Sequence, residues 1–407
     1  MSGRIVIAGA SLGGLRAAEQ LRAAGWAGMI TVVGDEPHMP YNRPPLSKEV
    51  LAGKAGFDSL AFTPKAGVAD VEWRLGTAVT AARLEEGVVV LDTGAELTFD
   101  GLVIATGMRP RRLACPGPRD GRHTVRTLDD AQALRAELMR PGAMVVVIGG
   151  GFIGCEVAAT AAGLGAAEVT VVDPLPLPMA GPLGELLGDA LLRRHTDRGV
   201  RFLLGRGVDG FQGDARAEAV VLDDGTVLAA DVIVEAVGSV ANTEWLDGNG
   251  LDLTDGVLTD DRLRVGGLPH VVAVGDVARH PNARYDAVAR RVEHWSMPTE
   301  TAKHAAKALV AQLTGAVPFP GPFAPLPTFW SDQHDFRLQS FGLPVLGRDD
   351  VRVLEGTPDG DFVAGYHRDG GLVGVVALGG APAALAASRY RAQLLGQLVL
   401  TAHGVPR

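Results

Sequence analysis

Apolar and polar positions change period twice within the first 35 residues. Arg4 to Ala8 is a short apolar run, a cluster of small residues follows, and from Leu12 to about Ala24 the apolar positions recur at helical spacing. A second apolar run then appears in "MITVVGDEP". The pattern predicts strand, tight turn, helix, strand. The same plan returns in "AMVVVIGGGFIGCEVAATAAGLGAAEVTVVDP", Ala143 to Pro174, so the chain carries two copies of one βαβ unit.

Between the copies, "GLVIATGMRP" (Gly101 to Pro110) predicts a buried strand ending in a Gly/Pro turn, and "DVIVEAVGSVANTEW" (Asp231 to Trp245) is its counterpart after the second copy. Both fit a chain crossing between domains. "VVAVGDVARH" (Val271 to His280) predicts one more strand closed by Gly-Asp, and a helix is expected near Thr299 to Leu313. The Pro/Gly-rich "TGAVPFPGPFAPLP" then marks a linker. From about Thr328 the runs are short and alternating, and a helix is expected near Ala383 to Ala402. The expected fold class is α/β, with two Rossmann-like dinucleotide-binding domains and a small C-terminal α+β domain. The boundaries expected are 1–112 with 239–318 for the first domain, 113–238 for the second, and 319–407 for the third.

Composition narrows the class. A chain of 407 residues is too long for one ordinary core. Its net charge of -9 argues against nucleic acid or an anionic membrane as the main partner. The two cysteines, Cys115 and Cys155, form no C-x-x-C motif and no disulfide framework, which fits a reducing cytoplasm. Arg4 before an apolar run resembles a signal peptide, but Arg16, Glu19 and Arg22 follow almost at once. No stretch has the length of uninterrupted apolar residues that a membrane span needs.

The first turn can be read in two ways. Gly9, Ser11 and Gly13 spell G-x-S-x-G, the elbow that raises a nucleophilic serine, and Asp276 with His280 or His294 would complete a triad on paper. Gly9, Ser11 and Gly14 also spell G-x-G-x-x-G with serine at the middle position. A nucleophile elbow on the first strand is out of place, and the second copy has Gly151 where the serine would be. The phosphate cradle explains more. Gly9 makes the turn, position 11 must be small for close approach of a pyrophosphate, and Gly14 lets helix and strand pack. Asp35 or Glu36 ends the second strand, where an acid accepts hydrogen bonds from ribose hydroxyls. In the second copy Gly149, Gly151 and Gly154 are all glycine and Asp173 is the acid. An acid there favours a free 2′-hydroxyl, and "PLPLPM" after it supplies no arginine for a phosphate, so NADH is expected over NADPH.

Eight further segments carry a family resemblance: "GDEPHMPYNRPPLSKEVL", "VIATGMRPRRL", "TVRTLDDA", "VIGGGFIGCEVA", "VGSVANTEWL", "VAVGDVARH", "EHWSMPTETAKHAAKAL" and "FWSDQHDFRLQSFG". With them the chain resembles the FAD- and NADH-dependent ferredoxin reductases of oxygenase systems, which share the two-dinucleotide fold of glutathione reductase. Apoptosis-inducing factor is a more distant relative, and an NADH-sensing flavoprotein that acts through a protein partner is the alternative function. Ser11, "PLPLPMAG" and "GSVAN" depart from the family's pattern.

The resemblance implies FAD on the first copy, against Gly9, Ser11, Gly13, Gly14, Asp35, Glu36, Arg43, Lys48, Val79, Ala105, Thr106, Gly107, Arg126, Gly275, Asp276 and Trp295. It implies NADH on the second, against Gly149, Gly151, Phe152, Ile153, Gly154, Glu156, Asp173 and Gly238. Lys48 and Glu156 are the expected catalytic pair beside the flavin, and no metal is expected. "YNRPPLSK" holds no cysteine, so a thiol relay is not expected and electrons are expected to pass singly to an iron-sulfur ferredoxin. Such partners are acidic, and Arg279, Arg284, Arg290 and Arg291 are the candidate docking patch, with Arg109, Arg111 and Arg112 as a competitor.

Overall fold

The computed structural model describes residues 3–396. Its centre is a six-stranded sheet in the order Arg264–Val265, Leu268–Ala273, Gly101–Ile104, Arg4–Ala8, Met29–Gly34, Glu72–Leu75, parallel apart from the first strand. Ile5, Val6, Ile7 and Ala8 are all fully buried, because helices and a second layer cover both faces of the sheet. On one face the helix Leu12–Ala23 packs on Met297–Thr314. Alanines at 17, 18, 302, 305 and 306 line that contact and let the two backbones approach.

The second copy builds a parallel five-stranded sheet in the order Val200–Leu204, Glu168–Asp173, Met144–Ile148, Val232–Glu235, Arg122–His123. Its fingerprint helix is Phe152–Gly163. The repeat runs further than hydropathy revealed. Each unit also carries a three-stranded antiparallel sheet, Val79–Arg83 with Val88–Leu91 and Glu96–Thr98 in one, Val208–Gln212 with Ala219–Leu222 and Val227–Ala229 in the other. The two chain crossings meet each other: Met108–Pro110 pairs antiparallel with Ser239–Ala241.

The expected strand over Val271 to His280 is two strands, Leu268–Ala273 and Ala278–Asn282, separated by a single turn at Gly275–Val277. Residues 315–327 contain neither helix nor strand. Beyond them an antiparallel sheet runs Thr328–Gln333, Phe336–Gly342, Gly371–Gly379, Phe362–Arg368, Val351–Gly356, backed by the helix Ala381–Gly396. The expected extension of that helix to Ala402 lies outside the described residues. Thr328–Gln333 is an edge strand, and it lies against the second fingerprint helix. Its alternation puts Phe329, Ser331 and Gln333 inward and leaves Trp330 on the opposite, more open face.

Candidate functional site

Both fingerprint turns have the same geometry. Gly9 has φ +119° and Gly149 has φ +104°, and a Cβ on either would sit 2.1 or 2.3 Å from a carbonyl, that of Ala105 or Ala236. A Cβ on Gly14 or Gly154 would lie 1.9 Å from the carbonyl of Gly9 or Gly149. The middle position is different. A Cβ on Gly151 meets nothing within 4 Å, and Ser11 caps the first helix with no side-chain bond to it. The first and last glycines of each fingerprint are therefore fixed by protein contacts, and the middle position stands at a helix N-terminus, in the second copy with open space before it. That cradle fits a dinucleotide pyrophosphate in both copies.

The two copies share one register but place their acids differently. Asp173 ends its strand one residue after Val172, the partner of Ile148; the matching residue in the first copy is Gly34, where a Cβ would lie 2.3 Å from that of Ala10. A side chain is excluded there, so the first copy carries its acids one and two positions later. Asp35 is exposed. Glu36 accepts from Tyr41 Oη at 2.6 Å and pairs with Arg43. Asp173 is buried, and its two oxygens accept from the backbone N–H of Gly150 and of Leu175. Each carboxylate oxygen keeps a further lone pair for a ribose hydroxyl.

Tyr41 was not singled out in the sequence. Its hydroxyl donates to Glu36 and accepts from the buried N–H of Leu128 at 3.0 Å, and burial pushes its ionisation above the ordinary tyrosine range. Arg43 reaches the Arg126 carbonyl at 2.7 Å, and the Arg126 guanidinium lies 3.9 Å from the Asp276 carboxylate, too far for a direct hydrogen bond. Burial pulls Arg126 down and Asp276 up. Both keep part of their surface open, 31% and 20% of the side chain, so this crevice presents incompletely compensated charge to whatever enters it. Ala105, Thr106 and Gly107 floor the crevice, tied by Asn242, whose side-chain Nδ2 donates to the Thr106 carbonyl at 2.9 Å while its main-chain carbonyl accepts from Thr106 Oγ1 at 2.7 Å. Gly275, with φ +78°, donates its N–H to Thr301 Oγ1. Val79 is half-buried on its strand, and Gly238, φ +94°, turns at the surface of the second unit.

Lys48 follows the single turn Pro44–Ser47, and Glu156 sits in the first turns of the second fingerprint helix. Lys48 Nζ donates to Glu156 Oε2 at 2.6 Å, with 12% and 6% of the two side chains exposed. Ser47 Oγ donates to the same oxygen, and Ser331 Oγ donates to the other at 2.6 Å. The pair therefore joins the two dinucleotide units, and the C-terminal sheet reaches it as well. Phe152 packs edge-on against Phe329, 4.9 Å between ring centres, while Ile153 is exposed at the helix start. Trp295 is 38% exposed, stands edge-on to Trp330 at 5.1 Å and donates to Asn42 Oδ1. Ser47 stands next to Lys48 in the sequence, and Ser331 lies within the resembling segment "FWSDQHDFRLQSFG", but neither was singled out.

All four candidate docking arginines have internal partners. Arg279 pairs with Asp252, Arg290 with Asp286, and Arg291 with Asp255 and Glu293, while Arg284 is spent on the carbonyls of Leu394, Leu395 and Ala324. In the competing stretch, Arg109 pairs with Glu244 and Arg112 with Glu235. Cys155 is fully buried, which pushes its thiol far up, and Cys115 leans on the Val208 carbonyl. Cys155 therefore offers no thiolate. Among the described residues no His, Cys, Asp or Glu cluster fits a metal ion, and no helix is long and apolar enough to cross a membrane.

Residues 3–302 match the family described as pyridine nucleotide-disulphide oxidoreductase. The chain belongs to that family. Residues 328–394 match a second description, reductase C-terminal. The chain is 37% identical over 390 residues to "Probable ferredoxin reductase CtmF" of Castellaniella defragrans, covering 95% of this chain and 92% of that protein. It is 38% identical over 381 residues to the "Anthranilate 1,2-dioxygenase system ferredoxin--NAD(+) reductase component" of Burkholderia cepacia, covering 92% and 90%. In three dimensions it resembles the reductase fold in the crystal structure of the covalent putidaredoxin reductase-putidaredoxin complex, with TM-score 0.88, 32% identity, and 99% and 96% of the chains covered. Membership brings the cofactor classes FAD and NAD(H), and the two cradles are of the kind such cofactors occupy.

Proposed function

We propose that this protein is an NADH-dependent ferredoxin reductase that supplies electrons, through an iron-sulfur ferredoxin, to a cytochrome P450 or ring-hydroxylating oxygenase. The observation that carries the reading is the Lys48–Glu156 pair, which ties the two dinucleotide cradles together at 2.6 Å, while the neighbouring Cys155 thiol is fully buried and its ionisation pushed far up. Bound FAD would supply hydride acceptance from NADH and single-electron release to two ferredoxins, with one proton set free.

The chain's part is alignment and charge. The Gly9–Gly14 turn and the N–H groups of its helix hold the FAD pyrophosphate, with Arg43, Arg126 and Asp276 along the crevice. The Gly149–Gly154 turn holds the NADH pyrophosphate, and Asp173 accepts from the adenosine ribose and disfavours a 2′-phosphate. Lys48, held in place by Glu156 at 2.6 Å, would offer its ammonium to the negative charge that the flavin gains on reduction. The domain division that goes with these roles is 1–112 with 239–318 for FAD, 113–238 for NADH and 319–407 for the C-terminal domain. The ferredoxin docks on the face that carries Trp295 and Arg290 and Arg291, with Arg279 and Arg284 at its edge. Because Arg279, Arg290 and Arg291 are internally paired, docking exchanges internal for partner carboxylates rather than neutralising bare cations. The expected compartment is the cytoplasm.

The test uses the purified protein loaded with FAD. NADH should bleach the flavin, and adding an acidic [2Fe–2S] ferredoxin should restore its colour with reduction of the ferredoxin. A protein that NADH does not bleach, or whose bleached form leaves every ferredoxin oxidised, overturns the reading.

A further inference from the structure

Behind Glu156 runs a buried hydrogen-bond chain that the reading above does not use. Ser331 and Gln333, each 1% exposed, come from the edge strand of the C-terminal sheet, and His195, fully buried, comes from the last turn of the helix Ala180–Thr196. Gln333 Nε2 donates to Ser331 Oγ at 2.9 Å, His195 Nε2 lies 2.7 Å from Gln333 Oε1, and His334 Nε2 lies 3.1 Å from His195 Nδ1. His334 occupies the hairpin turn in the left-handed region, φ +50°.

The carboxylate at one end fixes the direction of every link. Glu156 can only accept, so the single proton of Ser331 is committed to Oε1. Ser331 must then accept from the Gln333 amide, which turns Gln333 Oε1 toward His195. His195 therefore carries its proton on Nε2. Burial pulls His195 to about 4, so Nδ1 is bare and takes the His334 N–H. No link can be reversed alone, because that would leave a buried donor or acceptor without a partner.

We propose that Ser331, Gln333 and His195 are positioning residues for the reductive step, acting through Glu156. Ser331 holds one carboxylate oxygen so that the other stays on Lys48, and the amide and imidazole behind it keep the Ser331 proton on that task. The C-terminal domain thereby takes part in hydride transfer. The inference rests on the reading that Lys48 and Glu156 serve that step.

Two measurements on the FAD-loaded protein test it. Nitrogen-15 spectra of the histidine rings, with His195 assigned through His195→Asn, should show His195 as the Nε2–H tautomer at neutral pH; an Nδ1–H ring overturns the proposal. In stopped flow without ferredoxin, Ser331→Ala should lower the limiting rate of flavin bleaching by NADH about five- to tenfold while changing half-saturation by NADH less than about twofold, and Ser331→Thr should restore the rate. Wild-type bleaching in Ser331→Ala also overturns it. Should the alanine variant fail to fold, the wild-type tautomer decides alone. If NADH fails to bleach the wild type, the functional reading fails instead, so the two failures are separable.

Discussion

Lys48 Nζ and Glu156 Oε2 lie 2.6 Å apart, and the residues stand on different dinucleotide units. Ser47 and Ser331 complete the carboxylate's set of donors. A carboxylate so enclosed depends on its cation, because the serine hydroxyls supply hydrogen bonds and no charge.

Lys48→Met should therefore be worse than replacement of the whole pair. Losing one member of a buried pair costs about 3–5 kcal/mol, whereas apolar replacement of both recovers much of that. Thermal melting should rank Lys48→Met below Lys48→Met/Glu156→Leu. Both should bleach with NADH at least about tenfold more slowly than wild type. Equal melting of the single and double variants would show that the pair is not coupled.

The glycines separate the two cofactors. Gly14→Ala places a methyl 1.9 Å from the Gly9 carbonyl, so the first turn must open and the protein should purify without FAD. Gly151→Ala meets only open space. It should melt like wild type and stay yellow, yet require about tenfold more NADH, since its methyl occupies room a pyrophosphate needs. Absorbance at purification and an NADH titration check both.

How much of this was legible in the sequence follows from range. The βαβ plan was, because apolar runs, glycine turns and helical period are local signals. The three-stranded sheet of each unit was not, since short strands such as Glu96–Thr98 carry too few residues to show a period. Lys48 and Glu156 could be brought together only through a family likeness, being 108 residues apart. Ser331 and Gln333 are ordinary polar residues on a strand whose partner, the second fingerprint helix, nothing nearby announces. The choice between Asp35 and Glu36 depended on Gly34, which is small because Ala10 packs over it.

Nucleotide preference should follow Asp173. Wild type should favour NADH over NADPH by about a hundredfold or more in kcat/KM, the acid repelling a 2′-phosphate. Asp173→Asn removes the charge and keeps one acceptor oxygen, enough for only one of the Gly150 and Leu175 N–H groups that the two carboxylate oxygens now serve. It should narrow the preference mainly by improving NADPH. An unchanged ratio would place the ribose elsewhere.

Acid should weaken the fold through its histidines. Burial pulls His195, His294, His304 and His334 to about 4, from an open-chain value of about 6.5. Above the higher value neither state binds the proton. As pH falls from there toward 4 the unfolded chain takes up protons that the folded chain refuses, so stability is lost across that window by up to about 1.4 kcal/mol per pH unit for each histidine. The urea midpoint should be lower at about pH 5 than at about pH 7.5, and His294→Gln should reduce the difference. A midpoint that rises on acidification would contradict the burial.

Docking on the Trp295 face should respond to charge in both directions. Arg290→Glu with Arg291→Glu removes two cations and leaves their former partners, Asp286 and Asp255, facing new carboxylates. Ferredoxin reduction should slow about tenfold or more at low salt and converge on wild type as salt rises, while ferricyanide reduction holds. Asp255→Asn with Asp286→Asn leaves both arginines in place, frees Arg290 and leaves Arg291 only its pair with Glu293, so ferredoxin reduction should speed up under the same conditions. The opposite signs matter, because general damage to the fold would slow both sets of variants. If neutralising the two aspartates leaves the ferredoxin rate and its salt dependence untouched, the acceptor docks on another face.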